Sequence, residues 1–228
     1  MATRTLSTIR TQIRRILRDE TEASYVWTET ELNTYINTAV YAFGRRVPKE
    51  SSASLSLTAS EDDYTIPTGA TEIVSIKVGD DVYTVIEVFG GSMKLSPTPA
   101  AAATATVKYR GWYTQFVVAT DASTSDYDLQ YEELIDHYVL YLALSAVAGD
   151  GARYYQYTEG DISEDQGKTQ KYFRDEANAH LLAFEQGCLQ AIEERAGLQS
   201  AAVADAVIAT KITRLKPERQ TTYERLFR

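Results

Sequence analysis

The sequence predicts a mainly α fold: a helical bundle with an inserted small antiparallel β subdomain and an extended C-terminal arm. Apolar residues recur at helical spacing near both ends of the chain, whereas short β-branched and tyrosine-rich runs fill the region between them. Basic residues collect after residue 198. The predicted parts are a first scaffold half at 1–50, a β-rich insertion at 51–119, a second scaffold half at 120–197 and the arm at 198–228.

Two helices are predicted in the first scaffold half. The second of them starts at Thr28 and Glu31, which have the spacing of a capping box, and Trp27 and Leu32 have the spacing of a hydrophobic staple. Gly44 and then Pro48 are predicted to close this helix. The first helix is predicted to be amphipathic, with an apolar stripe of Leu6, Ile9, Ile13, Ile16 and Leu17, and with Arg10, Arg14, Arg15 and Arg18 on its other faces.

The insertion is predicted to form five or six short antiparallel strands in a compact sheet or small sandwich. The strand-like runs are 54–57, 64–66, 72–78, 82–88, 93–95 and 104–112. Helices resume at Asp126 or Asp128, either of which could cap. Residues 138–148 are apolar almost all round and predict a central buried helix, and a long helix is predicted from about 164 to 195.

Charge is segregated along the chain. The net charge of −9 argues against a general nucleic-acid binder. Residues 1–18 hold five arginines and no acid, residues 119–165 hold eleven acids and one arginine, and residues 198–228 hold six basic and three acidic groups. Because a monomer has little use for basic ends and an acidic middle, the pattern predicts an oligomer whose ends dock onto neighbours or another protein.

Two stretches partly match a nucleotide-binding and a calcium-binding motif, but neither match is complete. Six residues separate Gly160 from Gly167 ahead of Lys168 and Thr169, where a phosphate-binding loop needs four. Asp126 and Asp128 have the first spacing of a calcium loop, but the required glycine is absent. Helix capping is therefore the predicted role of these two aspartates.

The remaining reactive side chains favour structural roles. Glu132, Glu133 and Asp136 could supply the paired carboxylates of a glycoside hydrolase. However, acids in the first turns of a helix commonly interact favourably with the helix dipole. His137 and His180 lie on two different helices, so packing or a structural hydrogen bond is predicted for them. Cys188 is predicted to be a small buried hydrophobe. The sequence thus predicts a protein that is not an enzyme and has no catalytic, cofactor or metal site.

The C-terminal arm mixes basic and apolar residues, which favours docking on a partner over a solvated tail. Its predicted docking residues are Lys211, Arg214, Leu215, Lys216, Arg219, Tyr223, Arg225, Leu226, Phe227 and Arg228.

Two stretches resemble the pattern of phage head-to-tail adaptor (connector) proteins, which bind below the portal. They are R-R-I-L-R-D-E at 14–20 with V-W-T-E-T-E-L-N-T-Y-I-N-T-A-V at 26–40, and residues 129–148 with Y-x-x-G-D-I-S at 157–163. The resemblance implies a helical bundle with a variable β insertion, assembled as a ring of usually twelve copies. It also implies a portal protein and a tail or tail-completion protein as partners, and a C-terminal extension that grips the portal.

On this reading the chain is a structural protein of the virion neck, assembled in the host cytoplasm, with no membrane partner. Double-stranded DNA passes through the ring without specific binding, because an acidic lumen keeps it sliding. The candidate channel-facing acids are Glu132, Glu133, Asp136, Asp150, Glu159 and Asp161. Two alternatives stay open: a carbohydrate- or protein-binding structural module of a tail or other virion assembly, and a hydrolase that uses Glu132 or Glu133.

Overall fold

The computed structural model of the protein describes residues 4–22, 25–150 and 166–198. The helices in these ranges are α1 (Leu6–Ile16), α2 (Glu29–Arg46), α3 (Glu132–Gly149) and α4 (Gln166–Leu198), and a 3-10 turn at Leu129–Tyr131 precedes α3. The strands are β1 (Lys49–Leu57), β2 (Asp63–Thr65), β3 (Ala70–Val78), β4 (Asp81–Phe89), β5 (Ser92–Ser96) and β6 (Ala103–Gly111).

The prediction of a mainly α helical bundle is wrong. The protein is 45% helix and 27% strand, and its six strands form one antiparallel sheet curved into a half-barrel. Four of these strands have nine residues each, so the sheet is larger than the predicted small subdomain. β1 begins at Lys49, and its first four residues are all polar, so the apolar run at 54–57 shows only the second half of this strand.

The four helices bury one hydrophobic cluster. The predicted capping box is present at the start of α2, where Thr28 Oγ1 accepts from the Glu31 amide (3.2 Å) and the Thr28 amide donates to Glu31 Oε2 (2.9 Å). Trp27 and Leu32, the predicted staple, are both buried. As predicted, α3 is central: it packs against both α2 and α4. Within the described ranges, no helix combines the length and apolar character needed to cross a membrane.

The sheet has the strand order β1-β6-β3-β4-β5-β2 and its own, second hydrophobic cluster. β1 follows α2 after Pro48, and its first residue, Lys49, pairs with Gly111 at the end of β6. The chain therefore enters and leaves the sheet at the same place. Residues 112–128 then return to the helices, where Tyr113, Phe116 and Tyr127 join the helical cluster.

Candidate interaction surfaces

Arg4 joins the N-terminal segment to α3. Its guanidinium group donates to both carboxylate oxygens of Asp136 (3.0 Å each), and its Nε lies 2.8 Å from Glu132 Oε2. Gln12 also donates to Asp136, which is only 6% exposed. Burial raises the pKa of the Asp136 carboxyl, against the opposing effect of Arg4. Glu132 and Asp136, two of the predicted channel-facing acids, are therefore bound within the chain rather than free on its surface.

The other predicted channel-facing acids divide in two groups. Glu133 and Asp150 are exposed at the two ends of α3, and the carboxylate of Glu133 lies 3.8 Å from His137 Nε2. Glu159 and Asp161 lie outside the described residues, as do all ten predicted docking residues of the arm. The motif from Gly160 to Thr169 lies at the edge of the described range, and its side chains are outside it.

Arg10 and Arg14 do not lie on solvent-facing sides of α1 as predicted, because both are buried. Arg10 bonds Asp121 (2.5 Å), and Arg14 bonds Asp19 (2.6 Å) and the Trp27 carbonyl (2.9 Å). Together with Arg4, they pair much of the positive charge of the N-terminal region with carboxylates of the same chain. The expectation that a single chain has little use for the segregated charge is therefore wrong, since acids of the middle region pair with Arg4 and Arg10.

The ion pair between Arg14 and Asp19 explains part of the adaptor-like motif at 14–20 and 26–40. The Asp19 carboxylate accepts from the Val26 amide (2.8 Å), and the Arg14 guanidinium stacks 3.4 Å above the centre of the Tyr25 ring. These contacts close the connection between α1 and α2. These residues of the motif therefore stabilise the connection between α1 and α2, and a ligand is not needed to explain them.

A cleft of about 430 Å³ lies where the sheet meets the helices. Arg195 of α4 donates to the Pro48 carbonyl and to the Tyr113 hydroxyl, both at 2.7 Å. Lys49 pairs with Asp126, which also accepts from the Thr114 amide (2.7 Å). The cleft is lined by Lys49, Glu50, Tyr113, Asp126, Asp128, Gln130, Tyr131, Glu194 and Arg195.

Asp126 and Asp128 do not cap a helix, contrary to the prediction. Asp126 instead holds the segment before α3 against the start of β1, and the Asp128 side chain makes no capping hydrogen bond to the 3-10 turn that it precedes. Burial alone would raise the pKa of Asp126, but hydrogen bonds from Lys49 and Thr114 outweigh it and hold that pKa below its usual range. The cleft is thus a charged junction between two layers of the fold.

His137 of α3 and His180 of α4 meet, with their Nδ1 atoms 2.9 Å apart. Periodicity placed them on different helices and predicted packing or a hydrogen bond, but it gave no sign that the two rings contact each other. Burial and the nearby His137 lower the pKa of His180. Cys188 is buried on the same helix, which confirms its prediction, and burial raises the pKa of its thiol to about 12.

Apolar side chains are exposed on the outer face of the sheet, a feature that sequence reasoning missed. The exposed residues, which we call the β4 outer face, are Val74, Val82, Ile86 and Phe89, and the last of these is 82% exposed. The alternation along β4 could have revealed it, since apolar residues occupy both of its faces. Contiguous apolar surface of this kind commonly marks a protein interaction site.

Ion pairs that join elements of one fold, together with an accessible apolar sheet face, are typical of a structural interaction protein. The sequence model of the SU10 adaptor protein family matches residues 4–202, and the chain belongs to this phage head-to-tail adaptor family. The resemblance seen in the sequence is thereby confirmed, and it makes the chain a structural adaptor that contacts portal and tail proteins in general. No curated protein matches the chain.

Proposed function

We propose that twelve copies of this chain form a ring between the portal and the tail of a tailed double-stranded DNA phage, and that the ring extends the DNA channel. The observation that carries this proposal is the family match, because residues 4–202 include every helix and strand described above. The ring assembles in the host cytoplasm and lies in the neck of the virion.

The channel wall is proposed to carry acidic groups that are exposed at the surface. Glu133 and Asp150 are exposed among the described residues, and Glu159 and Asp161 continue the acidic run in the sequence. Glu132 and Asp136 contribute less, because Arg4 pairs with both of them and offsets part of their charge. Exposed carboxylates repel the DNA phosphates, so the genome slides through without a tight contact.

The C-terminal arm is proposed to dock on the portal. Residues 211–228 follow the end of the family match and combine six basic groups with Tyr223, Leu226 and Phe227. Basic groups steer the encounter with an acidic partner, and aromatic side chains are enriched among residues that dominate binding energy.

Native mass spectrometry of the chain mixed with a candidate portal protein tests both parts of this proposal. A complex of ring stoichiometry is expected for the full chain and should be lost on deletion of 211–228. The paired substitution Leu226→Ala/Phe227→Ala keeps the arm and its charge, so it separates apolar anchoring from charge. A chain that stays monomeric with the portal, or that binds it equally well without the arm, contradicts the proposal.

The alternative of a protein-binding module remains a second candidate, because the β4 outer face favours it. In that case binding to the partner would depend on the sheet and not on 211–228. The same deletion therefore distinguishes the two functions.

A further inference from the structure

β1 is an edge strand of the sheet with one free side. The strand order places it at the end of the sheet, and its nine residues pair with β6 without a register shift. On the other side of β1, no residue that the structure describes pairs with it. The amide and carbonyl groups of β1 that point away from β6 are therefore open to another strand.

β1 lacks the features that usually protect a sheet edge. Edge strands are commonly very short, bulged, or interrupted by proline or charge. β2, at the opposite edge, has three residues, whereas β1 has nine, and residues 51–57 of β1 include no charged residue and no proline. Leu55 packs against the cluster of the sheet but stays only half-buried. The edge therefore offers both backbone hydrogen-bonding groups and apolar surface to one more strand.

The C-terminal arm leaves the fold beside the start of β1. α4 ends at Leu198, and Arg195, one turn earlier, donates to the Pro48 carbonyl at 2.7 Å. Pro48 directly precedes β1. The residues that follow α4, 199–228, therefore begin close to the junction, where β1 also begins.

Residues 207–215 of the arm have the sequence pattern of a strand. The stretch reads V-I-A-T-K-I-T-R-L, and five of its nine residues are β-branched: Val207, Ile208, Thr210, Ile212 and Thr213. Alternation along a strand would place Ile208 and Ile212 on one face and Lys211 on the other. Pro217 follows the stretch, and proline is typical of the place where a strand ends.

The length of chain between α4 and this stretch is sufficient for pairing. Residues 199–206 span up to about 26 Å when extended. The distance that they must cover is short, because Arg195 already contacts the residue before β1. A strand that starts at the junction and runs away from it is parallel to β1, which also starts there with Lys49.

We propose that residues 207–215 add to the free side of β1 in the same chain, as a further strand parallel to it. Ile208 and Ile212 then lie on the inner face and extend the hydrophobic cluster beyond Leu55. Lys211 lies on the outer, solvent-facing side. The backbone groups of β1 that point away from β6 gain partners, and the sheet gains a short strand that Pro217 ends.

The added strand also determines where the end of the arm leaves the sheet. It runs from the junction toward Leu57 at the far end of β1, so residues 218–228 leave from that end. Tyr223, Leu226 and Phe227 remain available for the proposed contact with the portal. This consequence rests on the proposed function, whereas the pairing itself needs neither the ring nor the portal.

Residue-resolved amide hydrogen exchange on the full chain tests the pairing, because β1 contains its own control. Amides that point toward β6 are protected with or without the added strand, whereas those that point away are protected only with it. Ile212→Pro removes a donor from the middle of the added strand, so it should accelerate exchange of the outward amides about tenfold or more. The β6-facing amides should keep their protection. Thr222→Pro, beyond Pro217, is the matched control and should exchange like the parent chain.

A disulfide captures the pairing and shows which chains it joins. Ser54 is exposed on the outer face of β1, the face on which Lys211 and Thr213 are placed. Ser54→Cys combined with Lys211→Cys or with Thr213→Cys is expected to form a disulfide within one chain under mild oxidation, detected by peptide mass spectrometry. Ser54→Cys/Thr222→Cys is the control and should stay reduced. The native thiol of Cys188 is buried.

Three results would overturn the pairing: outward amides of β1 that exchange at unprotected rates in the parent chain, Ile212→Pro without effect on any exchange rate, or disulfides that join two chains instead of one. Loss of portal binding by a parent chain whose outward amides are protected overturns the proposed function alone. A parent chain that binds the portal but leaves these amides unprotected overturns this inference alone.

Discussion

The arginines of residues 4–18 divide by what their guanidinium groups contact. Arg4, Arg10 and Arg14 each bond a carboxylate of the same chain in a buried or half-buried setting. Such pairs add little net stability, because loss of hydration offsets their attraction, but breaking one leaves an uncompensated buried charge. Arg15 and Arg18 are exposed and remain available to a partner. The same residue type therefore serves the fold at three positions and the surface at two.

The histidine pair predicts a pH dependence of stability. With one neutral ring accepting a hydrogen bond from the other, His137 and His180 can share the hydrogen bond between their Nδ1 atoms. Protonation of the accepting nitrogen removes this hydrogen bond, and Glu176, near Nε2 of His180, only partly offsets the added charge.

The sign of the effect follows from the lowered pKa of His180 in the folded state. Below the ordinary histidine pKa of about 6.5 the unfolded chain binds more protons than the folded one, so the free energy of unfolding should fall as the pH drops from 7 to 5.5. Urea denaturation at stepped pH measures this. The His137→Gln/His180→Gln variant should lose most of the slope, and an unchanged slope in that variant would contradict the prediction.

At the scale of elements, one glycine permits the close approach of β3 and β6. A Cβ atom added to Gly111 would lie 2.4 Å from the carbonyl oxygen of Gly69, a backbone atom that cannot move aside freely. Gly111→Ala should therefore push the strands apart at the junction and lower the free energy of unfolding by about 2 kcal/mol.

Gly149→Ala, at the end of α3, is the matched control, because a Cβ there meets nothing within 4 Å. It should leave the free energy of unfolding unchanged or raise it by up to about 1 kcal/mol, since alanine restricts the unfolded chain more than glycine does. Chemical denaturation of both variants gives the comparison. Equal stabilities would mean that the two strands can separate without cost.

The elements that sequence reasoning predicted well are those with local signals. The start of α2 is determined by side chains within a few residues of Thr28, so its capping box and staple were readable. The length of β1 was not, because its first four residues, 49–52, include no apolar side chain and its pairing partner lies about 50 residues further on, in β6. The contact of His137 with His180 and the burial of Arg10 were likewise hidden, since both depend on how distant elements pack.

At the scale of the whole molecule, the fold has two hydrophobic clusters with a polar junction between them. One cluster belongs to the helices and residues 112–128, and the other belongs to the sheet. The division into 1–50, 51–119, 120–197 and 198–228 stays a proposal, although the strands do run from Lys49 to Gly111. Because apolar contacts hold each cluster together, the orientation of one relative to the other depends on the junction. An adaptor that contacts portal and tail proteins needs that orientation fixed.

Arg195 is the residue that should matter most for this orientation. From α4 it donates to the Pro48 carbonyl, just before the sheet, and to the Tyr113 hydroxyl, just after it. One guanidinium group therefore holds both places where the chain passes between the helices and the sheet. Arg195→Met keeps much of the side-chain volume but removes both hydrogen bonds, and it should lower the free energy of unfolding by about 2 kcal/mol.

Amide hydrogen exchange should accelerate at the start of β1 and in 112–128, while β3 and β6 away from the junction keep their protection. Arg174→Met, an exposed arginine of the same helix, controls for the loss of a charge and should leave exchange unchanged. Uniform acceleration throughout the sheet would show instead that the junction and the sheet unfold as one unit.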